Sequence, residues 1–390
     1  MYYNTLTYLF KKFIVKFVVK EGIEMDENNI LLSPDFPLRI VLLNFGGMGD
    51  EILFFPVIQV LKEHFPLARI CTVVESRCKD IMENNYFIDK VYTLDIKSKP
   101  DLKDLIDFVG RIRAESPDIV ISSGRSPLVS LLLFFIGAKY RIGYNASPLT
   151  FLLSHRVDLN MKQYAAKMLF DLLSPLGILS DFPLPVFHIP SIAEEWAKAW
   201  LNKNEIDYEQ GFITIHTGVS DLSKQKGLIR NWENEKWVEL INRLWQDGHN
   251  IVLLGSKGEQ EDIDWLVGKL GKKVVSACSQ TADINQLAAL MKLSSMLICV
   301  DSGPMHIAVA TKTPLVGIFG PTDEQRVLPP RYLRFSAVRI SMDCRPCLFE
   351  KRKQTCDELL CLKGLSVDTV YNAVREHLVQ AMKEKNCKIK

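Results

Sequence analysis

Short apolar runs that end in a small or polar turn and pass straight into a helical pattern recur along this chain, and they narrow the fold more than any other feature. The run 39-RIVLLNFGG-47 leads into helical periodicity from Glu51 to His64. ARICTVV and Ile88 to Leu94 read as strands, Leu102 to Arg113 as a helix, and DIVISS as a further strand. After an interruption the same order returns. FITIHTG, a helix from Glu235 to Gln246, NIVLLG, a helix from Gln260 to Leu270 and a short VVS strand follow one another. They lead to a helix from Ile284 to Lys292, MLICV, a helix from Pro304 to Thr311, and PLVGIFG. Strands that alternate with helices pair in parallel and are covered on both faces, so the chain is α/β.

At 390 residues the chain exceeds one ordinary core and suits two domains with a cleft between them. The span from about Asn145 to Pro190 carries five prolines around a helix-like stretch from Lys162 to Leu173, and it reads as the link. The expected division is 36–180 for a first Rossmann-like domain and 190–365 for a second with a cysteine-rich tail. A helix at 366–385 closes the chain, and residues 1–25 precede the body of it as an amphipathic segment.

In an open parallel sheet, ligands bind beyond the carboxyl ends of the strands. The polar clusters fall there: Gly46 to Asp50, His216 to Ser220, Gly255 to Glu259, Asp301 to His306 and Gly320 to Asp323. In 45-FGGMGDE-51 the glycines Gly46 and Gly47 permit close backbone approach before a helix start with free N–H groups, where an anion could sit. The spacing matches neither a dinucleotide fingerprint nor a P-loop. Asp50 there is equally well a first-turn acid favoured by the helix dipole. In 301-DSGPMH-306, Asp301 or Ser302 could cap the helix, Gly303 opens the backbone, and Pro304 suits the first helical position. That helix start would receive a diphosphate, with His306 in reach of a phosphate oxygen.

The segment 216-HTGVSDLSKQKGLIRNW-232 carries Lys224, Lys226 and Arg230 in a loop. A solvated charge run explains it without function. A departing diphosphate nevertheless needs a cation, and Arg230, beside Trp232, is the candidate. Cys344, Cys347, Cys356 and Cys361 form C-x2-C-x8-C-x4-C, for which structural zinc is one reading and free or redox-labile thiols are the other. Nine cysteines without a secretory signal point to a reducing cytoplasm. A net charge of +2 gives no general attraction to nucleic acid.

The first twenty residues set Tyr2, Tyr3, Tyr8, Phe10, Phe13 and Phe17 among Lys11, Lys12, Lys16 and Lys20, with no acid before Glu21. Two readings stand: a helix lying on an anionic membrane surface, or a helix packed on the protein.

These residues together resemble glycosyltransferase family 9, the ADP-heptose lipopolysaccharide heptosyltransferases and their relatives. The likeness runs from about Arg39 to the C-terminal helix. It rests on RIVLLNFGGMGDEILFFPVIQVLKEHFP, HTG followed by RNW, LLGSKGEQE, and VDSGPMHIAVATKTPLVGIFGPTD. The resemblance implies a GT-B architecture, two Rossmann-like domains facing across a cleft, with acceptor on the first half and nucleotide sugar on the second. It implies inversion at the anomeric carbon with no cofactor required.

Carried over to this sequence, Asp50 matches the family's general base, and Arg230 falls where relatives usually have Lys against the diphosphate. Asp301, Ser302, Gly303 and His306 match the donor loop, Glu259 an acid near the nucleoside, and Thr217 and Gly218 the HTG turn; Gly46 and Gly47 are grouped with them as donor-binding. The implied partners are ADP-heptose, a lipid-linked glycan acceptor and the inner face of the cytoplasmic membrane. A sugar-nucleotide epimerase or hydrolase, or a non-catalytic nucleotide-sugar binding protein, are the alternatives on such a fold.

Overall fold

The computed structural model describes residues 30, 32–179, 182–330 and 333–387. The amphipathic segment at 1–25 lies outside the described residues. Two six-stranded sheets organise the rest, and every strand pair in them is parallel. The first contains β1 (Arg39–Leu43), β2 (Arg69–Val74), β3 (Lys90–Thr93), β4 (Ile119–Ser122), β5 (Tyr140–Tyr144) and β6 (His155–Val157), in the order β3-β2-β1-β4-β5-β6. The second contains β7 (Phe212–His216), β8 (Asn250–Leu254), β9 (Val275–Ser276), β10 (Met296–Val300), β11 (Leu315–Ile318) and β12 (Phe335–Val338). Its order is β12-β11-β10-β7-β8-β9, which repeats the first order strand for strand.

The order reverses between β1 and β4 in one sheet and between β7 and β10 in the other, so each half has its crevice beyond those strand ends. Period-two burial sorts the strand side chains between layers. Ile40 and Leu42 face the helix α1 (Met48–His64), while Val41 and Leu43 pack with Phe108 and Ile112 on the opposite face. In the second half Ile213 and Ile215 meet Trp237, Leu240 and Leu244 of α2 (Asn234–Gln246).

The core that holds α1 continues into the second half through Phe187 and α3 (Gly303–Thr311). Phe55 and Phe187 have ring centroids 6.1 Å apart, and the Phe187 N–H donates to Ala310 O at 3.0 Å. The helices that open behind the two crevices are therefore packed against each other.

The proline-rich span is more structured than its composition suggests. It supplies β6, which pairs with β5, and the helical turns Ala165–Phe170 and Asp171–Leu176 under α1. A three-residue strand, His-Arg-Val, shows no alternation to recognise. The helix Pro127–Ile136, almost wholly apolar, also lacks a polar face that would mark its period.

Candidate active site

The first crevice is built by the turn from β1 into α1. A Cβ on Gly46 would lie 2.1 Å from the Asp50 Cβ, so only glycine lets the aspartate fold back over the turn. The Gly47 N–H donates to Asp50 Oδ2 at 2.6 Å, the reciprocal bond of a helix-start box. Asp50 therefore does fill the terminal role that spacing alone suggests. Its side chain is nevertheless exposed at the mouth of the crevice, and its other oxygen has no hydrogen bond among the described residues. Arg77 donates to Gly46 O at 3.2 Å and pairs with Glu75, which places a guanidinium beside the same turn. A groove of about 1130 Å³ adjoins this mouth, lined by Ser76, Asp95, Asp101, Asp107 and Arg111 among others.

The second crevice is closed by internal pairs. Asp301, 3% exposed, accepts from Arg230 Nη1 at 3.0 Å. Arg230 also reaches Ser223 Oγ at 3.4 Å, and its Nε is buried with no partner among the described residues. Lys224 is instead engaged by Asp262 at 2.9 Å, so Arg230 is the basic group of the loop that the fold brings to the donor turn.

Ser302 Oγ lies 3.2 Å from His216 Nδ1, and His216 Nε2 lies 3.2 Å from Glu259 Oε1. Burial alone would raise the Glu259 carboxyl. His216, with the Ser256 N–H at 3.0 Å and hydroxyl at 2.7 Å, overrides it and holds the group at about 2. A Cβ on Gly218 would meet Glu259 Oε1 at 2.4 Å, which explains the glycine after buried Thr217.

His306 occupies the first turn of α3 and faces the other half. A Cβ on Gly49 would come within 2.5 Å of its Cδ2, so the two helix starts touch through a histidine ring and a glycine. Burial pushes the imidazole below its ordinary value, against the pull of Asp301 and Asp50, and its Nδ1 has no partner among the described residues. Gly303 leaves its backbone open: a Cβ there would meet only Met48 Sδ, at 3.6 Å. Both helix N-termini, with their positive dipole ends, are thus directed at one region bounded by Asp50, Arg230 and Asp301.

The structure brings Arg230, Asp301, Ser302, Gly303 and His306 into one cluster, with Thr217, Gly218 and Glu259 behind it. Gly46 and Gly47 sit across the crevice beneath Asp50, apart from the rest of the donor set. The sequence marks His216 only as part of the HTG cluster, and it does not mark Asn44 or Glu51 as contributors. The histidine carried a signal, since it ends a buried strand; the other two have the spacing of ordinary core positions.

Glycosyltransferase family 9 (heptosyltransferase) matches residues 106–357. The chain belongs to this family, and it is a glycosyltransferase. It is 26% identical over 294 residues to lipopolysaccharide heptosyltransferase 3 of Escherichia coli K12, covering 70% of this chain and 80% of that one. The family 9 glycosyl transferase of Veillonella parvula has the same fold, with a TM-score of 0.73 and 22% identity over 90% of this chain and 99% of that one. The E. coli heptosyltransferase WaaC with ADP-2-deoxy-2-fluoro heptose superposes with a TM-score of 0.66 at 18% identity, covering 87% and 99%. The two Rossmann-like sheets are accordingly those of a GT-B heptosyltransferase fold.

The four tail cysteines, for which zinc and free thiols are the two readings, lie near one another. Cys344 is exposed while Cys347 and Cys361 are buried, and no group of three metal-ligating side chains converges among the described residues. Each is a free thiol, and burial followed by the nearby cysteines raises Cys347 and Cys361 above the ordinary thiol value. No helix of the described residues is long and apolar enough to cross a membrane.

Proposed function

We propose that this glycosyltransferase moves a heptose from ADP-heptose to a lipopolysaccharide core or related envelope glycan, with inversion at the anomeric carbon and without a metal in the chemical step. The observation that carries this reading is the placement of an exposed carboxylate, Asp50, opposite a helix N-terminus beside which a half-buried arginine, Arg230, is fixed by Asp301.

The donor diphosphate would lie over Gly303, where backbone N–H groups are open, with Arg230 beside it. The acceptor hydroxyl would approach from the first half and give its proton to Asp50 as its oxygen bonds the anomeric carbon. The bond from that carbon to the diphosphate oxygen breaks on the opposite face, and ADP leaves with the electron pair. Arg230 and the α3 dipole stabilise the charge that grows on it. Arginine in place of the usual family lysine keeps that charge on a planar guanidinium, one nitrogen of which, Nη1, is held by Asp301 at 3.0 Å. His306 donates or accepts as a neutral imidazole between the two carboxylates. The Lys- and aromatic-rich segment at 1–25 suits attachment to the membrane that carries the acceptor.

The test is Asp50→Asn, assayed for heptose transfer to lipopolysaccharide core and, by calorimetry, for ADP-heptose binding. Transfer is expected to vanish while donor affinity persists. Wild-type turnover by the variant would remove Asp50 from the reaction, and absence of ADP-heptose binding to the wild type would remove that donor.

A further inference from the structure

Directly after Asp50 stands a second carboxyl that the transfer reaction described above does not use. Glu51 is wholly buried, at 0% exposure, in the first turn of α1. Its Oε2 accepts from Asn44 Nδ2 at 2.9 Å, and the same amide nitrogen lies 3.2 Å from the Asp50 carbonyl oxygen. Asn44 Oδ1 in turn accepts from the hydroxyl of Ser123, at the end of β4. One side chain, Asn44, thus joins three things: the turn after β1, the neighbouring strand end at the switch point, and the start of the helix that carries Asp50. Glu51 is the anchor of that junction from below.

An apolar residue would fill this place with no desolvation cost, whereas a buried carboxyl is expensive unless it is neutral or paired. Burial pushes the Glu51 carboxyl well above the usual range, against the opposing Asn44 amide; the Asp50 charge pushes the same way, and the Gly46 amide and Lys97 pull weakly back. Burial thus favours the protonated acid, and the oxygen that faces Asn44 accepts its amide in that form as well. Its other oxygen, Oε1, has no partner among the described residues. An unpaired hydroxyl costs less than an unpaired buried charge, so the neutral form is the stable one.

We propose that Glu51 is a positioning residue for Asp50: through Asn44 it braces the turn at 44–47, and so fixes where the exposed carboxylate stands relative to the donor helix. The inference rests on the transferase reading only for its catalytic consequence, because the bracing itself is a property of the turn. It requires a hydrogen-bond acceptor at Glu51, not a charge, and this separates it from any role as a second base.

The experiment compares Glu51→Gln, Glu51→Leu and Asn44→Ala in full-length protein. Two readouts are taken: steady-state transfer, and amide hydrogen exchange over residues 44–51. Gln keeps the oxygen that Asn44 needs, so Glu51→Gln is expected to match wild-type kcat and exchange. Leu removes it, and a displacement of Asp50 on the ångström scale is expected to lower kcat about 100-fold while the donor KM stays unchanged. Exchange over the turn then accelerates, and Asn44→Ala behaves like Leu.

If Glu51→Gln loses activity as completely as Glu51→Leu while exchange stays native, the carboxyl acts chemically and the positioning role is overturned. If Glu51→Leu is native in both readouts, it is overturned as well. Should the transferase reading itself fail, the wild type shows no transfer, and the exchange comparison still decides whether Glu51 braces the turn.

Discussion

The two crevice turns have the same topology and opposite electrostatics. Each follows a central strand at a switch point, and each carries an aspartate where the next helix begins. In the first half Asp50 is exposed, and its turn is held from below by Asn44 and Glu51. In the second half Asp301 is buried against Arg230, and Ser302, His216 and Glu259 form a linked chain behind it. The second-half turn holds its charges in pairs, whereas the first-half turn leaves one carboxylate uncommitted. The proposed roles fit this difference: a general base must meet its substrate without first breaking a salt bridge, and a diphosphate site gains from a cation already fixed in place.

The sharpest way to break this contrast is to neutralise the two aspartates separately. Arg230→Ala leaves the buried Asp301 carboxylate unpaired and is expected to cost about 3–5 kcal/mol of stability, with Asp301→Asn, which leaves the half-buried Arg230, costing less. Asp50→Asn removes only a helix-start bond and is expected to cost about 1 kcal/mol at most. Chemical denaturation of the variants checks both; equal losses would mean that the two turns do not differ in the way described.

The contact between the turns gives a second test, of intermediate size. Gly49→Ala drives a methyl within 2.5 Å of the His306 ring, and overpacking of that kind costs about 1–3 kcal/mol. In an His306→Ala background the clash is gone and the higher helix propensity of alanine remains, so Gly49→Ala is expected to become neutral or stabilising. Thermal denaturation of the four-member cycle reads the reversal of sign; a constant penalty in both backgrounds would place the strain elsewhere.

A further effect is pH-dependent and belongs to the second half. Glu259 is held at about 2 in the folded protein, below the ordinary 4.5 of an unperturbed glutamate. The unfolded chain therefore binds its proton first, and the stabilisation is present above pH 4.5 and lost as pH falls from there toward 2. Glu259→Gln is expected to flatten the stability curve in that window. An unchanged acid limb would show that the His216 pair contributes nothing.

Much of this contrast was legible before the coordinates. β8, β10 and the helices Gln260–Leu270 and α3 lie within a residue of the expected ranges, because long periodic segments carry their own signal. β6 and the helix Pro127–Ile136 escaped for the reasons of length and uniform hydrophobicity given above. At the site, glycines and charged residues beyond strand ends marked both turns. What the sequence could not convey was partnership across long separations. Arg230 with Asp301 spans 71 positions, and His216 with Ser302 spans 86. Neither pair has local spacing to betray it. The cysteine motif brings its thiols near one another, and among the described residues no group of three metal-ligating side chains is arranged to hold an ion.

The apolar layer that runs from α1 through Phe187 into α3 does more than join two sheets. Each half presents to the other a surface that water would have to solvate if the halves parted, so neither is a finished globule by itself. Separation would be resisted by the hydrophobic effect along the whole seam, and motion that preserves the seam, a slide or a small rotation about Phe55 and Phe187, is the cheaper route by which the crevices can widen and narrow. The seam between the halves is thus made of the same material as the core.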